Sequence, residues 1–225
     1  MHYRFDWQPI WESRWLIADG LVVTVELSLA ALLLALLLGT LVGTIGASRS
    51  RALRFAAACY VEPLRNVPLL IHMYFWYMAL AFLRLPPFAC AALGLAVYSS
   101  AYMAETVRAG IRGVAQGQMR AALATGLTRF QALRLVVYPQ ALRIVAPSLA
   151  SLASQLIKDS SLASVIAVAE LTYEAGAIEG QSFRTFETYI TVSLLYLALV
   201  TFTTWLFTLA TGADGPRQAS ALADA

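Results

Sequence analysis

Long runs of apolar residues, separated by short polar stretches, make up most of this chain of 225 residues. Several runs reach the ~20 residues that a helix needs to cross the hydrocarbon core of a bilayer. Charged residues account for 13% of the chain, against about 25% in a typical soluble domain. The pattern predicts an all-α integral membrane protein with five spans. Within one membrane domain, residues 20–210, the predicted spans are 21–47, 55–82, 88–107, 144–169 and 189–210.

Both ends of the chain differ from these runs. In residues 1–19, three tryptophans recur at the spacing of one helical stripe: Trp7, Trp11 and Trp15. Such a stripe suits a helix lying at a membrane interface, in contact with lipid, or one packed against the protein's own outer surface, and both interpretations stay open. Residues 211–225, ending in DGPRQASALADA, are predicted to be a disordered tail.

Arginine is concentrated on one side of the predicted spans. Eleven arginines fall in the connections on one side, against four on the other. Because Lys and Arg near span ends are enriched on the cytoplasmic side, the N-terminus is predicted to be periplasmic. The C-terminus and the long connection 108–139 are then cytoplasmic.

The second predicted span is interrupted by Pro63 and Pro68, with Asn66 between them. A proline inside a helix removes a hydrogen bond and kinks or breaks it, so a broken helix is expected here. Irregular backbone at membrane depth is tolerated against protein or a water-filled cavity, which favours a central pathway. Glu62 and Arg65 are three residues apart, which is close enough on a helix for their side chains to form an ion pair.

Lys158 and Asp159 fall near the middle of the fourth predicted span. Each charge costs about 2.5–3.5 kcal/mol at a helix centre, so each should face a partner or an aqueous cavity. One interpretation is a solute pathway lined by Asp159, Ser160 and Ser161. The other is an internal charge network that holds spans together.

The connection 108–139 carries five arginines and no acidic residue. Gln118 to Thr125 are good helix formers, and Gly126 suits a left-handed helix stop. Thr128 and Gln131 match a capping box that would begin a second helix. Tyr138-Pro139 is expected to end that helix. Two interpretations stay open: a docking surface for a cytoplasmic partner, or an amphipathic hairpin on lipid headgroups.

Several kinds of site are missing from the sequence. No G-x-x-x-x-G-K-[ST] pattern is present, so ATP binding through a P-loop is excluded. The two histidines form no metal-binding pattern, and the net charge of +3 arises from arginines between spans rather than from a nucleic-acid-binding surface. A solute pathway in this chain would therefore need an energising partner, and the basic connection is the place for it to bind.

The basic connection has a recognisable order. Arg120-Ala121-Ala122 is followed after three residues by Gly126, and nine residues later by Val136-Val137-Tyr138-Pro139. This resembles the EAA loop, Glu-Ala-Ala-x3-Gly-x9-Ile-x-Leu-Pro, of permease subunits of bacterial ABC importers. Further segments across residues 16–209 look like the polar amino-acid subfamily: GLVVTVELS, YVEPLRNVPLL, AYMAETVRAGI, PQALR and IKDSSLASVIAVAEL. The opening YRFDWQPIW and DGLVVTVELS look most like the glutamate/aspartate permeases.

The resemblance implies a type I importer of the bacterial inner membrane. Two permease subunits, identical or different, form the pathway, a cytoplasmic ATPase dimer binds ATP and magnesium, and a periplasmic binding protein delivers the amino acid. The permease chain itself needs no cofactor. The implied ATPase-coupling residues are Gln118, Arg120, Ala121, Ala122, Gly126 and Pro139. The candidate pathway residues are Arg65, Asn66, Val67, Lys158, Asp159, Ser160 and Ser161.

One departure from the family pattern stands in the coupling segment. Arg120 occupies the position where the family usually has Glu, so a contact made by that carboxylate is absent or reversed. Two other functions stay open from the residues alone. One is a self-contained channel or secondary carrier, and the other is a membrane scaffold that transports nothing.

Overall fold

A computed structural model describes residues 3–211 of the chain, and all regular secondary structure in that part is helical, without strands. Short 3₁₀ segments run Ala81–Leu83 and Ser160–Ile166, and Leu133–Val137 is a π-helical segment. The α-helices are α1 Gln8–Glu12, α2 Arg14–Gly46, α3 Arg51–Asn66, α4 Leu69–Ala79, α5 Pro87–Gly113, α6 Gln116–Ala124, α7 Arg129–Ala132, α8 Tyr138–Asp159, α9 Leu171–Ser182 and α10 Thr185–Thr211.

Four helical stretches of the described residues are long and apolar enough to cross a membrane: Arg14–Gly46, Pro87–Gly113, Arg129–Ile166 and Thr185–Leu209. The predicted second span is a pair of helices, α3 and the short apolar α4. They are separated at Val67-Pro68, where the backbone is extended, so the expected break is present. Pro63 is accommodated inside α3.

Helix boundaries differ from the predicted spans mainly at the ends. α2 begins at Arg14, inside the segment predicted to precede the membrane domain. Trp11 and Trp15 are each 70% exposed and Trp7 is 48% exposed, which favours the interface over packing against the chain's own surface. Of the predicted tail, only Thr211 lies within the described residues, and it still belongs to α10.

The centre of the molecule is the contact between α2 and α5. A stripe of small residues on α2 faces α5 and lets the two backbones approach closely. A Cβ atom at Gly39 would stand 2.6 Å from Met103 Cβ, and one at Gly43 would stand 2.5 Å from the Ala104 carbonyl oxygen. Leu27, Leu95 and Met103, all fully buried, belong to the largest core cluster around this contact.

The bundle has two ends, which we call the amino end and the loop end. At the amino end, Tyr3 donates to Glu187, and Arg184 pairs with Asp6 at 3.4 Å, so the N-terminal segment is tied to α10. The loop end carries residues 114–128, and there Arg112 donates to the Gly46 carbonyl at 3.3 Å. The candidate coupling residues, at the loop end, therefore lie at the opposite end of the bundle from the N-terminal segment.

Candidate functional site

The first candidate site is the exposed turn between α6 and α7 at the loop end. α6 ends in a Schellman arrangement, in which Leu127 N–H donates to Ala122 O and Gly126 N–H donates to Leu123 O. Gly126 has φ of +88°, as the left-handed stop requires. This predicted elbow is confirmed, and it projects from the bundle with no heavy atom near its missing Cβ position.

The side chains of α6 divide between exposed and buried positions. Gln118, Arg120 and Ala121 are exposed, as a docking surface requires. Ala122, one of the implied coupling residues, is buried instead, with 6% of its surface exposed. Ala122 therefore fixes α6 on the bundle, and Arg120 and Ala121 form the face that a partner could reach.

The second helix of the connection begins as predicted and ends elsewhere. Thr128 Oγ1 accepts from Gln131 N–H, and the Gln131 side chain accepts from Thr128 N–H, which completes the capping box. The expectation that Tyr138-Pro139 ends this helix is wrong. The helix continues through Pro139 to Ile166, so the coupling segment and the fourth span form one stretch.

A π-helical turn explains how the helix passes Pro139. Proline has no N–H for the preceding turn, and its ring clashes with the carbonyl four residues back. In the wider turn Tyr138 N–H donates to Leu133 O, and the Gln140 side chain donates to Val136 O at 2.9 Å. Tyr138 is also hydrogen-bonded to Thr44 of α2, which fixes this turn to the bundle.

The second candidate site is a polar cavity of about 120 Å³ between α5 and α8. Its polar lining consists of Tyr98, Ser99 and Tyr102 from α5 with Gln155 and Asp159 from α8. Gln155 Nε2 donates to Asp159 Oδ1 at 2.8 Å, and the Tyr98 and Tyr102 hydroxyls are 3.2 Å apart. A carboxylate, an amide and two phenols in one cavity can bind a small polar solute.

Arg65 is connected to this cavity through Tyr102. The Tyr102 hydroxyl donates to the Arg65 carbonyl at 3.3 Å, and the Arg65 guanidinium lies over the Tyr102 ring at 5.1 Å. Glu62 forms no ion pair with Arg65 in the part of the chain that the structure describes, so the expected pairing is wrong. Asn66 and Val67, both exposed, lie beside Arg65 at the helix break. The Asn66 side chain donates to the Glu62 carbonyl at 2.7 Å.

The other pathway candidates are less uniform. Lys158 and Asp159 lie at the C-terminal end of α8, where the 3₁₀ segment Ser160–Ile166 continues the helix, and they do not pair with each other. Lys158 is exposed, whereas Ser160 is fully buried and donates to the Ile157 carbonyl. Ser161 is half-buried and donates to the Lys158 carbonyl. Of these four, Asp159 alone lines the cavity.

The sequence interpretation missed the two tyrosines that line this cavity. Tyr98 and Tyr102 are one helical turn apart on α5, so the Tyr-x-x-x-Tyr spacing was the signal in the sequence that could have identified them as neighbours on one helix face. His72 of α4 is buried against Tyr98, with ring centroids 5.5 Å apart, and its Nε2 is 3.2 Å from the Leu64 carbonyl. His72 is thus a buried, hydrogen-bonded histidine beside the cavity.

Three acidic residues near the amino end are also buried: Glu170, Glu174 and Glu187. Glu170 is fully buried, and its carboxylate accepts from Thr172 N–H, Tyr173 N–H and the Tyr196 hydroxyl at 2.8–2.9 Å. Burial, partly opposed by these hydrogen bonds, raises the pKa of Glu170 above its ordinary value. Glu170 begins α9 as its N-cap, so it has a structural role that its place in an acidic connection did not reveal.

The sequence of residues 28–211 matches the family model described as "Binding-protein-dependent transport system inner membrane component". The chain belongs to this family. The match covers the polar cavity and the exposed turn alike, so both candidate sites lie within the family domain.

Named relatives match this chain over two thirds or more of their own length. The chain is 40% identical over 151 residues to the probable glutamine ABC transporter permease protein GlnM of Bacillus subtilis, covering 66% of this chain and 70% of that protein. It is 33% identical to the glutamine transport system permease protein GlnP of Escherichia coli, covering 87% and 91%. It is also 33% identical to the glutamate/aspartate import permease protein GltJ of Escherichia coli, covering 86% and 85%.

Solved structures share the fold. A chain from the crystal structure of an amino acid ABC transporter with histidines superposes with a TM-score of 0.83 at 31% identity, covering 93% of this chain and 99% of that one. A chain of the inward-facing MetNI methionine ABC transporter gives 0.80 at 19% identity, covering 89% and 96%, which bears on the fold alone. The architecture is the type I ABC importer permease fold that the resemblance implied.

Proposed function

We propose that this chain is the permease subunit of an ATP-driven importer of a polar amino acid. It pairs with a second permease subunit, binds a cytoplasmic ATPase dimer at its loop end, and receives the amino acid from a periplasmic binding protein. The observation that carries the proposal is the single helical stretch Arg129–Ile166. It joins the exposed turn at Gly126 to the cavity at Asp159, so one element connects docking and pathway.

The orientation follows from the distribution of charge. The loop end carries the arginine-rich connections, which by the positive-inside rule supports a cytoplasmic location for it and a periplasmic location for the amino end. The matching family is named for the inner membrane, which supports a bacterial inner-membrane location.

The solute is a polar amino acid whose identity lies within a narrow group. Relatives named for glutamine are 40% and 33% identical to this chain and one named for glutamate/aspartate is 33% identical, so the relatives include both kinds of solute. The polar lining of the Tyr98–Asp159 cavity suits either side chain. The likeness to the glutamate/aspartate permeases at the start of the chain favours the acidic pair.

ATP is hydrolysed by the partner. The ATPase binds ATP and magnesium, and the exposed face of α6 transmits its closure to the pathway. Arg120 is exposed on that face where the family usually has a carboxylate. The ATPase that binds here therefore offers Arg120 a carboxylate or a carbonyl group, instead of a basic side chain.

Substituting Gly126 tests the docking role, because its positive φ strains most other residues. We expect Gly126→Val to abolish co-purification of the ATPase and ATP-dependent uptake in proteoliposomes, since a β-branched residue is a genuine outlier at this φ. Gly126→Asn is the matched control, because Asn tolerates the left-handed region and should retain both. Uptake without any ATPase would contradict the proposal and favour a self-contained channel or secondary carrier.

A further inference from the structure

A second cavity, whose lining includes six charged side chains, lies between α2, α3 and α5 toward the loop end. Its volume is about 320 Å³, at the lower end of the range of sites for small molecules. The wall from α2 includes Gly43 and Gly46, and the wall from α3 includes Ala58. The charged lining residues are Arg54, Glu62, Arg65, Glu105, Arg108 and Arg112.

Positive charge exceeds negative charge in this cavity. Four arginines face two glutamates, which leaves an excess of two positive charges. Arg108 is bonded to Glu105, and these two charges compensate each other. Arg54 donates to the Ser48 and Arg49 carbonyls, and Arg112 donates to the Gly46 carbonyl, but a carbonyl group carries no net charge.

The remaining arginine connects this cavity to the pathway. Arg65 lines the charged cavity while its guanidinium lies over Tyr102, which lines the Tyr98–Asp159 cavity. Arg65 therefore lines the charged cavity and, through its contact with Tyr102, lies beside the wall of the Tyr98–Asp159 cavity.

Guanidinium groups recognise carboxylates by paired, charge-assisted hydrogen bonds. Glu62, which forms no ion pair among the described residues, is available to an ammonium group. A ligand with one ammonium and two carboxylates matches this arrangement better than a zwitterion with an uncharged side chain, because it also compensates part of the excess positive charge.

We propose that the charged cavity is a second solute site, which binds the two carboxylates of an acidic amino acid between the Tyr98–Asp159 cavity and the loop end. This inference rests on the proposed function, because it takes the transported solute as its ligand. It adds a substrate class, acidic over amide side chains, and the residues that select it: Arg54, Arg65 and Arg112, with Glu62 for the ammonium group.

The test measures the charge of the cavity with thiol reagents in the complete complex of permease and ATPase, in phosphatidylcholine nanodiscs. Ala58 lines the cavity and is half-buried, whereas the neighbouring Cys59 is exposed and does not line it. The test protein carries Ala58→Cys with Cys59→Ala, and the native Cys59 is the matched control. Cys90 is buried and can stay in both proteins.

The measured quantity is the rate of cysteine modification by an anionic methanethiosulfonate reagent, divided by the rate of modification by a cationic one. We expect this ratio to be on the order of tenfold higher for Ala58→Cys than for native Cys59, because a positively lined cleft concentrates anions. L-glutamate should slow the reaction at position 58, while L-glutamine and L-lysine should not. Arg54→Gln with Arg112→Gln should lower the ratio to that of the control, and Lys at both positions should restore it.

Other results would overturn the inference. Equal ratios at positions 58 and 59, or equal protection by L-glutamate and L-glutamine, would remove the acidic-solute site. Protection seen with phosphatidylglycerol nanodiscs but not with L-glutamate would assign the charge to a lipid headgroup. ATP-dependent uptake is measured in parallel on the Cys59→Ala parent. Uptake without L-glutamate protection overturns this inference alone, whereas no ATP-dependent uptake of any amino acid overturns the proposed function.

Discussion

Glu170 shows how a single buried carboxylate can define an element. Its side chain caps the N-terminus of α9 through two backbone N–H groups, and it accepts a third hydrogen bond from Tyr196 of α10. The first orphan N–H groups of α9 are satisfied in this way, and a negative charge lies favourably at the positive end of the helix. The cost is that this charge is removed from water.

That cost makes the stability of the protein depend on pH. Burial raises the pKa of Glu170, so the native state keeps the proton to higher pH than the unfolded state does. Between the ordinary Glu pKa of about 4.3 and the raised value, the free energy of unfolding falls as pH rises. We expect Glu170→Gln to flatten this dependence, measured as the thermal unfolding midpoint in detergent from about pH 4 to 7. Burial also raises the pKa of Glu174, so Glu174 leaves a smaller residual slope in the Glu170→Gln protein.

The matched control for this measurement is Glu12→Gln. Glu12 is exposed on α1, where its carboxylate accepts from the Gln8 side chain. Its substitution should leave the slope of the midpoint against pH unchanged. A wild-type slope in the Glu170→Gln protein would show that Glu170 does not titrate in this range.

At the scale of elements, the contact between α2 and α5 is set by two glycines. The missing side chain at Gly43 lets α2 lie against the Ala104 carbonyl and Val107 of α5. Gly43→Ala should separate the helices and destabilise the protein by about 1–3 kcal/mol, as overpacking of a filled interior does. Lower thermal midpoints in detergent would register this change.

Gly176 provides the matched control, because it lies within α9 with no heavy atom near its missing Cβ position. Gly176→Ala should raise the midpoint slightly, since Ala is favoured over Gly in a helix by about 0.5–1 kcal/mol. A midpoint for Gly43→Ala equal to or above wild type would mean that the α2–α5 contact is loose enough to adapt.

Local chemistry accounts for the elements that the sequence predicted well. The broken second span, the Gly126 elbow and the Thr128–Gln131 capping box each depend on a few neighbouring residues, and each is present. The continuation past Pro139 depends on a π turn and on the Gln140 and Tyr138 side chains, including a partner on α2. A rule about the residue before proline cannot include such tertiary contacts, so it predicted a helix end in the wrong place.

The residues of the candidate site also divide into those that local sequence chemistry predicts and those that depend on tertiary contacts. Asp159 was recognisable because a charge inside an apolar span is costly, and it lines the cavity. Tyr98 and Tyr102 were missed because tyrosine is common in membrane segments, and its role depends on which helix it faces. Ser160 was predicted to line the pathway by its neighbourhood in the chain, but the 3₁₀ segment that begins there turns its hydroxyl back to Ile157.

At the scale of the whole molecule, docking and transport are located at different points of one helical stretch. Residues Arg129–Ile166 begin beside the exposed turn and contain Asp159 near their other end, about 45 Å away at 1.5 Å per residue. A change at either point should therefore affect one activity first. Gly126→Val acts on ATPase binding, and a change at Asp159 acts on the solute.

Asp159→Asn tests this separation because it keeps the side-chain shape and the hydrogen bond from Gln155 while removing the charge. We expect ATPase co-purification to be normal and ATP-dependent uptake to fall about tenfold or more, since a hydrogen bond to a charged group contributes about 1.5–3 kcal/mol. Ser151→Ala is the control on the same helix, because Ser151 is exposed and its hydroxyl donates to the Pro147 carbonyl within α8. Normal uptake by the Asp159→Asn protein would indicate a scaffold rather than a pathway subunit. Loss of ATPase co-purification would show that Asp159 holds the bundle together, because a charge in the pathway has no reason to affect docking at the opposite end.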